Sequence, residues 1–184
     1  MNIVVGITGA SGVVYGIRLL EVLIKEPHVT THLVMSSYAI KNISLETGYK
    51  TEEVMKLANF VYQNDDLAAR ISSGSFITDA AIIVPCSMKT LGSVANGVCD
   101  TLISRTADVA IKEGRPLILC PRETPLSPIH LENMLKLARL GVKIIPPMPA
   151  FYNKPGTIED ILNHHVMKIC DILGIKNEAA RRWE

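Results

Sequence analysis

Residues 6–12, with the sequence GITGASG, follow directly on the apolar run IVV at positions 3–5. The next segment repeats apolar side chains at i, i+4, i+7 and i+11, from Val13 to Ile24, which predicts a helix over 12–26 with one buried stripe. A strand, a glycine turn and a helix in this order are typical of the first unit of a parallel α/β sheet. Such folds bind ligands at the carboxyl ends of their strands, so the glycine turn is a candidate binding loop.

The alternation of strands and helices continues along the chain. Further apolar runs of strand length occupy 30–35, 80–84, 116–121 and 142–145, and Pro85 is expected to stop the second of these. Helical patterns cover 38–46, 51–59, 88–95, 101–113, 127–140 and 157–173, whereas 60–75 shows no regular pattern. This order predicts an α/β fold with a three-layer, doubly wound parallel sheet of Rossmann-like or flavodoxin-like type. No linker or repeat divides the sequence, so we expect a single domain over 1–184 with a short tail from about residue 175.

Composition argues against several classes of function. The chain has 184 residues, 48% of them hydrophobic and 20% charged, with a net charge of +1. This balance lacks the excess of positive charge by which proteins bind nucleic acid. The sequence has no apolar run of about 18 residues and no basic leader, so we expect neither a membrane span nor a signal peptide. The four cysteines form no CxxC pair, and we interpret them as reduced thiols of a cytoplasmic protein.

The glycine loop matches neither of two common nucleotide-binding motifs. Thr8 stands where GxGxxG requires its second glycine, and no Gly-Lys-Ser/Thr follows as in a P-loop. The strand at 30–35 ends in Ser36-Ser37 and lacks the carboxylate that would hold a ribose diol. A dinucleotide and a triphosphate are therefore disfavoured, which leaves another phosphate ligand or a purely structural turn.

Small hydroxyl residues follow several of the other predicted strands. Ser36 ends one strand, the segment PCSMKT at 85–90 ends another, and SSGS occupies 72–75. Hydroxyls and free backbone N–H groups at helix N-termini bind phosphate monoesters well. Several such loops at one sheet edge favour a mononucleotide site, for example one for FMN.

A pair of opposite charges, Arg122 and Glu123, follows the strand at 116–121 and is held between prolines. An arginine fork matches phosphate oxygens, and a nearby carboxylate can act as acid or base. The alternative interpretation is a weak surface ion pair.

The five histidines show no metal-ligand spacing. His164 and His165 are adjacent on a predicted helix and so point to different faces. We expect each histidine to be solvated or to cap a helix.

Longer motifs extend these observations to nearly the whole chain. TGASG at 8–12, PCSMKT at 85–90 and the run RETPLSPIHLENMLKL at 122–137 together resemble the UbiX family of flavin prenyltransferases, also called aryl-acid decarboxylase B subunits. The resemblance implies transfer of a dimethylallyl group from dimethylallyl monophosphate to N5 and C6 of reduced FMN, without a metal. It also implies delivery of the prenylated flavin to a UbiD-type decarboxylase and a homo-oligomer, a dodecamer in known members, with sites at subunit interfaces.

The resemblance also assigns roles to individual residues of this sequence. The residues expected to bind the flavin are Gly9, Ala10, Ser11, Ser36, Ser87, Met88, Lys89, Thr90 and Arg122. Those expected to bind the prenyl donor are Arg105, Lys112, Arg122, Tyr152 and Lys168. The catalytic residues are expected to be Glu46, Glu123 and Ser11. Some relatives carry arginine at position 168, where lysine gives a point contact in place of a fork.

For the tail Arg181-Arg182-Trp183 two interpretations remain open: an exposed, disordered tail, or docking over a site on a neighbouring subunit, which the tryptophan suggests. Two other functions remain open at this point. One is a flavin-dependent decarboxylase, although its cysteine-decarboxylating type carries a PASANT-like loop where this chain has PCSMKT. The other is a non-catalytic subunit that carries flavin for an aryl-acid decarboxylase.

Overall fold

The computed structural model describes residues 1–177 and residue 182. Its strands are β1 (Asn2–Ile7), β2 (Thr30–Met35), β3 (Phe60–Gln63), β4 (Ala80–Cys86), β5 (Leu117–Pro121) and β6 (Lys143–Ile144). They form one sheet in the order β3-β2-β1-β4-β5-β6, in which every neighbouring pair is parallel. The predicted doubly wound parallel sheet is therefore confirmed.

Helices cover both faces of this sheet. They are α1 (Val13–Leu23), α2 (Ser37–Glu46), α3 (Thr51–Met55), α4 (Met88–Ala95), α5 (Leu102–Lys112), α6 (Pro128–Arg139) and α7 (Ile158–Leu173). Successive strand side chains point to opposite faces, so Ile3 and Val5 of β1 pack with α1, α2, α3 and α7, whereas Val4 packs with α4, α5 and α6. The result is the predicted three-layer arrangement. Among the described residues, no helix is long and apolar enough to cross a membrane.

Glycine and hydroxyl residues cap the helix ends. Gly12 caps α1 with a φ of 101°, in the left-handed region that residues other than glycine rarely adopt. Ser127 caps α6, accepting a hydrogen bond at its hydroxyl from the N–H of His130 at 3.2 Å, with Pro128 as the first helical residue. His130 in turn accepts from the N–H of Ser127 through Nδ1, the capping role predicted for it.

Several sequence-based boundaries were wrong. The strand β3 lies in the stretch that showed no pattern, because it is an edge strand whose Phe60 and Val61 are largely exposed. Pro85 does not stop β4; it lies inside the strand, where the pairing with β5 is irregular and a missing N–H is tolerated. The helix predicted over 51–59 ends at Met55. Ile24 lies past the end of α1 and is 45% exposed, so it is not part of the buried stripe.

The prediction of solvated or capping histidines is wrong for three of the five. His32, His164 and His165 are buried, with 0%, 8% and 4% of their surfaces exposed. His32 stacks on Phe60, with ring centroids 5.1 Å apart, and its Nδ1 lies 3.0 Å from the Tyr62 hydroxyl. Because burial disfavours the charged imidazole, the pKa values of His32 and His165 both fall to about 4.

These buried histidines predict a stability that depends on pH. In the unfolded chain a histidine binds a proton near pH 6.5, whereas His32 and His165 bind one only near pH 4. Between pH 4 and pH 6.5, unfolding is therefore accompanied by the binding of protons to these two histidines. We expect the free energy of unfolding to fall as the pH drops from about 6.5 to about 4, by up to about 3 kcal/mol for each histidine, and to be level above that range.

Urea unfolding at closely spaced pH values measures this slope. His32→Asn is expected to reduce it, and His28→Asn, at an exposed position, to leave it unchanged. Equal slopes for His32→Asn and the parent chain would contradict the assignment.

Candidate functional site

A cavity of about 450 Å³ opens at the carboxyl edge of the sheet, where β1, β2 and β4 end. Most of the residues around it carry polar side chains, and the backbone of the glycine loop joins them. The lining residues are Thr8, Gly9, Ser36, Ser37, Tyr38, Asn64, Ser87, Lys89, Thr90, Ser93, Asp100, Thr101, Ile103 and Ser104. The cavity thus joins two of the three hydroxyl-bearing loops, those at Ser36 and at 85–90. Asn64 and the start of α5 line it where 72–75 was expected.

Three helices point their N-termini at this cavity. Ser36 caps α2, Ser87 caps α4 and Thr101 caps α5, and all three line the cavity. Each cap hydroxyl accepts a hydrogen bond from the N–H three residues further on, at 3.1, 3.3 and 3.2 Å. The remaining N–H groups of these first turns and the positive ends of three helix dipoles favour an anion. The arrangement is chemically suited to a phosphate monoester.

Thr8 connects two of the strand ends that form the cavity. Its hydroxyl donates to the carbonyl oxygen of Pro85 at 2.7 Å and accepts from the N–H of Ser87 at 2.8 Å. Thr8 is 2% exposed, so both polar contacts are shielded from water. In the sequence, Thr8 stood out only as the residue in place of a glycine, and this role was not predicted. The signal that could have revealed it is a hydroxyl residue at the end of a fully apolar strand.

The helix α2 holds the glycine loop. The Glu46 carboxylate accepts from the N–H of Gly12 at 2.7 Å, and the Asn42 side chain donates to the carbonyl oxygen of Gly9 at 3.1 Å. A Cβ atom added at Gly9 would lie 2.4 Å from the Cβ of Tyr38. Glycine at position 9 therefore lets the loop lie against the start of α2. The structure places Glu46 at the loop but outside the residues that line the cavity.

Arg122 and Glu123 lie beside the same sheet edge. The N–H of Arg122 donates to the carbonyl oxygen of Cys86 at 3.2 Å, which brings the end of β5 against the end of β4. Both side chains are exposed, and the Glu123 carboxylate accepts from the N–H of Thr124 at 2.9 Å. In the described part of the chain no ion pair joins Arg122 to Glu123, so the surface ion pair considered from the sequence is not formed.

The other residues expected to bind the donor do not line the cavity. Arg105 and Lys112 line a shallow cleft on α5. Lys112 lies eight residues beyond Ser104, or about 12 Å along the helix. Tyr152 instead contacts α7, with its hydroxyl 2.7 Å from Nε2 of His164. Within one chain these side chains therefore form separate groups.

The remaining expected residues lie next to the cavity or at the C-terminus. Ala10 and Ser11 belong to the glycine loop, and Met88 is the first residue of α4. Lys168, on α7, lies 3.9 Å from Asp171, which also accepts two hydrogen bonds from Arg182, at 2.7 and 3.1 Å. Arg181 and Trp183, the other named residues of the tail, lie outside the described residues. No cluster of three or more His, Cys, Asp or Glu side chains suited to a metal ion occurs in the described ranges.

Known proteins similar to this chain are flavoproteins, which agrees with a cavity suited to a phosphate monoester. The sequence model of the family described as Flavoprotein matches residues 1–173. The chain therefore belongs to the flavoprotein family. The flavin prenyltransferase LpdB of Lactiplantibacillus plantarum is 57% identical over 183 residues, which cover 100% of this chain and 98% of that protein. Within the flavoproteins, the chain is a member of the UbiX group.

Two solved structures are similar over their full lengths. A dodecameric, FMN-dependent UbiX-like decarboxylase from Escherichia coli O157:H7 is 53% identical, with a TM-score of 0.99 and 100% coverage of both chains. The structure of AnUbiX (PadA1) in complex with FMN and dimethylallyl pyrophosphate is 49% identical, with a TM-score of 0.96 and coverage of 100% of this chain and 97% of that one.

The close approach at Gly9 predicts the effect of a single methyl group. In Gly9→Ala the new Cβ would meet the Cβ of Tyr38, which no side-chain rotation can move. The loop or the start of α2 must shift, and we expect the dissociation constant for FMN to rise by about tenfold or more, which corresponds to about 1.4 kcal/mol.

Quenching of flavin fluorescence measures this constant. Gly48→Ala is the matched control, because a Cβ at Gly48 meets nothing within 4 Å. Unchanged FMN affinity in Gly9→Ala would show that the loop does not bind the flavin.

Proposed function

We propose that this chain is a flavin prenyltransferase. It transfers a dimethylallyl group from dimethylallyl monophosphate to N5 and C6 of reduced FMN and supplies the prenylated flavin to a UbiD-type decarboxylase. The observation that carries the proposal is the cavity with three converging helix N-termini, in a chain 57% identical to a flavin prenyltransferase.

The residues present fit FMN. A singly esterified phosphate matches a site built from cap hydroxyls and first-turn N–H groups, with Lys89 at its rim. Gly9 lets the loop lie against the start of α2, which brings the loop backbone to the wall of the cavity. We assign Ser36, Ser87 and Thr90 to the phosphate and ribityl chain, and Gly9, Ala10 and Ser11 to the isoalloxazine side. Reduced FMN supplies the electron-rich ring atoms that accept the prenyl group.

The protein's part in the transfer is to stabilise the leaving phosphate and to move a proton. Breaking the allylic C–O bond concentrates negative charge on the phosphate, and fixed cations lower the energy of that state. Arg122 lies beside the cavity edge and is free of any ion pair with Glu123 in the described residues, so its fork is available to phosphate oxygens. We assign Glu123 to the proton lost when the new ring closes at C6, and Ser11 to the space between flavin and donor.

Glu46 has a supporting contact for the flavin side. Its carboxylate already accepts from the N–H of Gly12, which fixes one oxygen and leaves the other for the region of flavin N5. This placement makes Glu46 both a brace for the loop and a candidate proton carrier.

We further propose a homo-dodecamer. Lys112 lies about 12 Å along α5 from the cavity, and Arg105 is bonded to Ser72 and Asp108 on the cleft side of the helix. A complete donor site would therefore use both side chains from a neighbouring copy. The helix α6 leaves Ile129, Leu131 and Leu135 more than half exposed, an apolar surface suited to contact between copies. A cytoplasmic location is proposed because all four cysteines are free thiols.

Anaerobic incubation of the purified protein with reduced FMN and dimethylallyl monophosphate is expected to give a flavin heavier by one C5 unit, detected by mass spectrometry. A parallel reaction with dimethylallyl pyrophosphate tests the donor named for the AnUbiX complex. No adduct with either donor, with FMN bound, would refute the proposal. Release of carbon dioxide from a phenolic acid by this chain alone would instead support a decarboxylase.

Removing the charge of Arg122 or of Glu123, next to the cavity, is expected to stop the transfer of the dimethylallyl group but not the binding of flavin. Arg122→Ala and Glu123→Gln should each lower kcat by about a hundredfold or more, since each removes a group that acts in the transition state. Lys25→Ala, at an exposed position just after α1, is the control and should retain full activity. Stopped-flow absorbance of the flavin follows the reaction, and full activity in Arg122→Ala would remove this residue from the mechanism.

A further inference from the structure

The cleft on α5 brings two cations together. Its volume is about 400 Å³, and its walls are the loop 73–75 (Ser-Gly-Ser) and three side chains of the α5 region, Arg105, Lys112 and Glu113. Arg105 and Lys112 are seven positions apart, about two helical turns, so both project from one side of the helix. The cleft therefore holds two basic side chains along one line, Arg105 paired with Asp108 at 2.7 Å and Lys112 paired with Glu113.

Lys112 forms an ion pair with the neighbouring Glu113. The ammonium group lowers the pKa of the Glu113 carboxyl through this hydrogen bond and through its charge, so the carboxylate is ionised at neutral pH. Lysine has four rotatable bonds, and an exposed pair of this kind restrains a side chain only weakly. A second restraint is needed if Lys112 is to occupy one position.

Gly74 provides that restraint, because its lack of a side chain leaves a space that the ends of Lys112 and Glu113 occupy. A Cβ added at Gly74 would lie 2.2 Å from Oε1 of Glu113 and 2.8 Å from Nζ of Lys112. Gly74 does not have a positive φ, so its backbone conformation is open to other residues. The absence of a side chain at this position is therefore explained by the two side-chain tips that fill the space.

The loop that carries Gly74 is fastened to α5 on both sides. Arg105 donates through Nε to the carbonyl oxygen of Ser72 at 3.0 Å. Arg115 donates to the carbonyl oxygens of Gly74 and Phe76, at 2.7 and 3.0 Å. These charged hydrogen bonds fix the distance between loop and helix, and thereby the size of the space at Gly74.

We propose that Gly74 and Glu113 are positioning residues that set where the Lys112 ammonium meets the phosphate of the prenyl donor. The inference rests on the proposed function, which assigns Lys112 to the donor site of a neighbouring copy. Glu113 uses one of the three N–H donors of the ammonium and holds it against the loop, which leaves two donors for phosphate oxygens. Because the atoms next to Gly74 are the ends of flexible side chains, a methyl group there displaces them and leaves the fold intact.

Two variants test this role in the full-length, FMN-loaded protein. Gly74→Ala and Glu113→Gln are each expected to raise the KM for dimethylallyl monophosphate by about 5- to 20-fold, as for loss of one charged hydrogen bond. Inorganic phosphate, titrated by calorimetry, should lose affinity by a similar factor. The kcat at saturating donor and the dissociation constant for FMN should stay within about twofold, an outcome that general structural damage would not give.

Matched controls are available on the same chain. Gly48→Ala adds a methyl group where nothing lies within 4 Å, and Glu52→Gln neutralises an exposed carboxylate on α3. Both should behave as the parent protein in every measurement. A rise in donor KM in these controls equal to that in the test variants would overturn the inference.

A Lys112→Ala background separates positioning from other effects. If Gly74 and Glu113 act through Lys112, adding either substitution to Lys112→Ala changes phosphate affinity no further, whereas independent additive losses would overturn the inference. Failure of the parent protein to prenylate FMN would refute the proposed function alone. Unchanged phosphate affinity in both test variants, or no phosphate binding by the parent, would refute the positioning role by itself.

Discussion

The carbonyl oxygen of Pro85 accepts two hydrogen bonds from Thr8, one from the backbone N–H at 3.2 Å and one from the hydroxyl at 2.7 Å. The same hydroxyl accepts from the N–H of Ser87. Because these contacts are buried, breaking one would leave an unpaired polar group and cost about 1–3 kcal/mol. They lock the ends of β1 and β4 together, and so fix the glycine loop relative to the N-terminus of α4. The rest of the flavin site is built around that junction.

The α/β fold could be predicted because its central strands are buried on both faces and therefore appear as continuous apolar runs. What the sequence did not reveal lies where burial and hydrogen bonding depend on distant parts of the chain. β3 is a four-residue edge strand with Phe60 and Val61 exposed, so it lacks the longer buried apolar run of the central strands. The buried state of His32 depends on rings of Phe60, Tyr62 and Phe76, which come to it from a later strand and loop.

The residues of the site also fall into those that could be predicted from the sequence and those that could not. Ser36, Ser87 and the glycine loop could be recognised locally, since a cap residue next to a strand end depends on only a few neighbours. Thr8 and Asn42 were missed, because their importance comes from partners 77 and 33 positions away in sequence. The grouping of the donor residues could not be predicted either, as it depends on how far α5 and α7 carry them from the cavity.

The helix α5 also works as a fixed spacer. Its N-terminal cap, Thr101, lines the flavin cavity, and its last residue, Lys112, lies in the outer cleft. Inserting or deleting one residue between them would rotate one end against the other by about 100° and shift it by about 1.5 Å. A substitution near one end of α5 affects only the site at that end. A change in length moves the cavity and the cleft relative to each other. The length of α5 between Thr101 and Lys112 is therefore expected to be constrained more strongly than the identity of its solvent-facing residues.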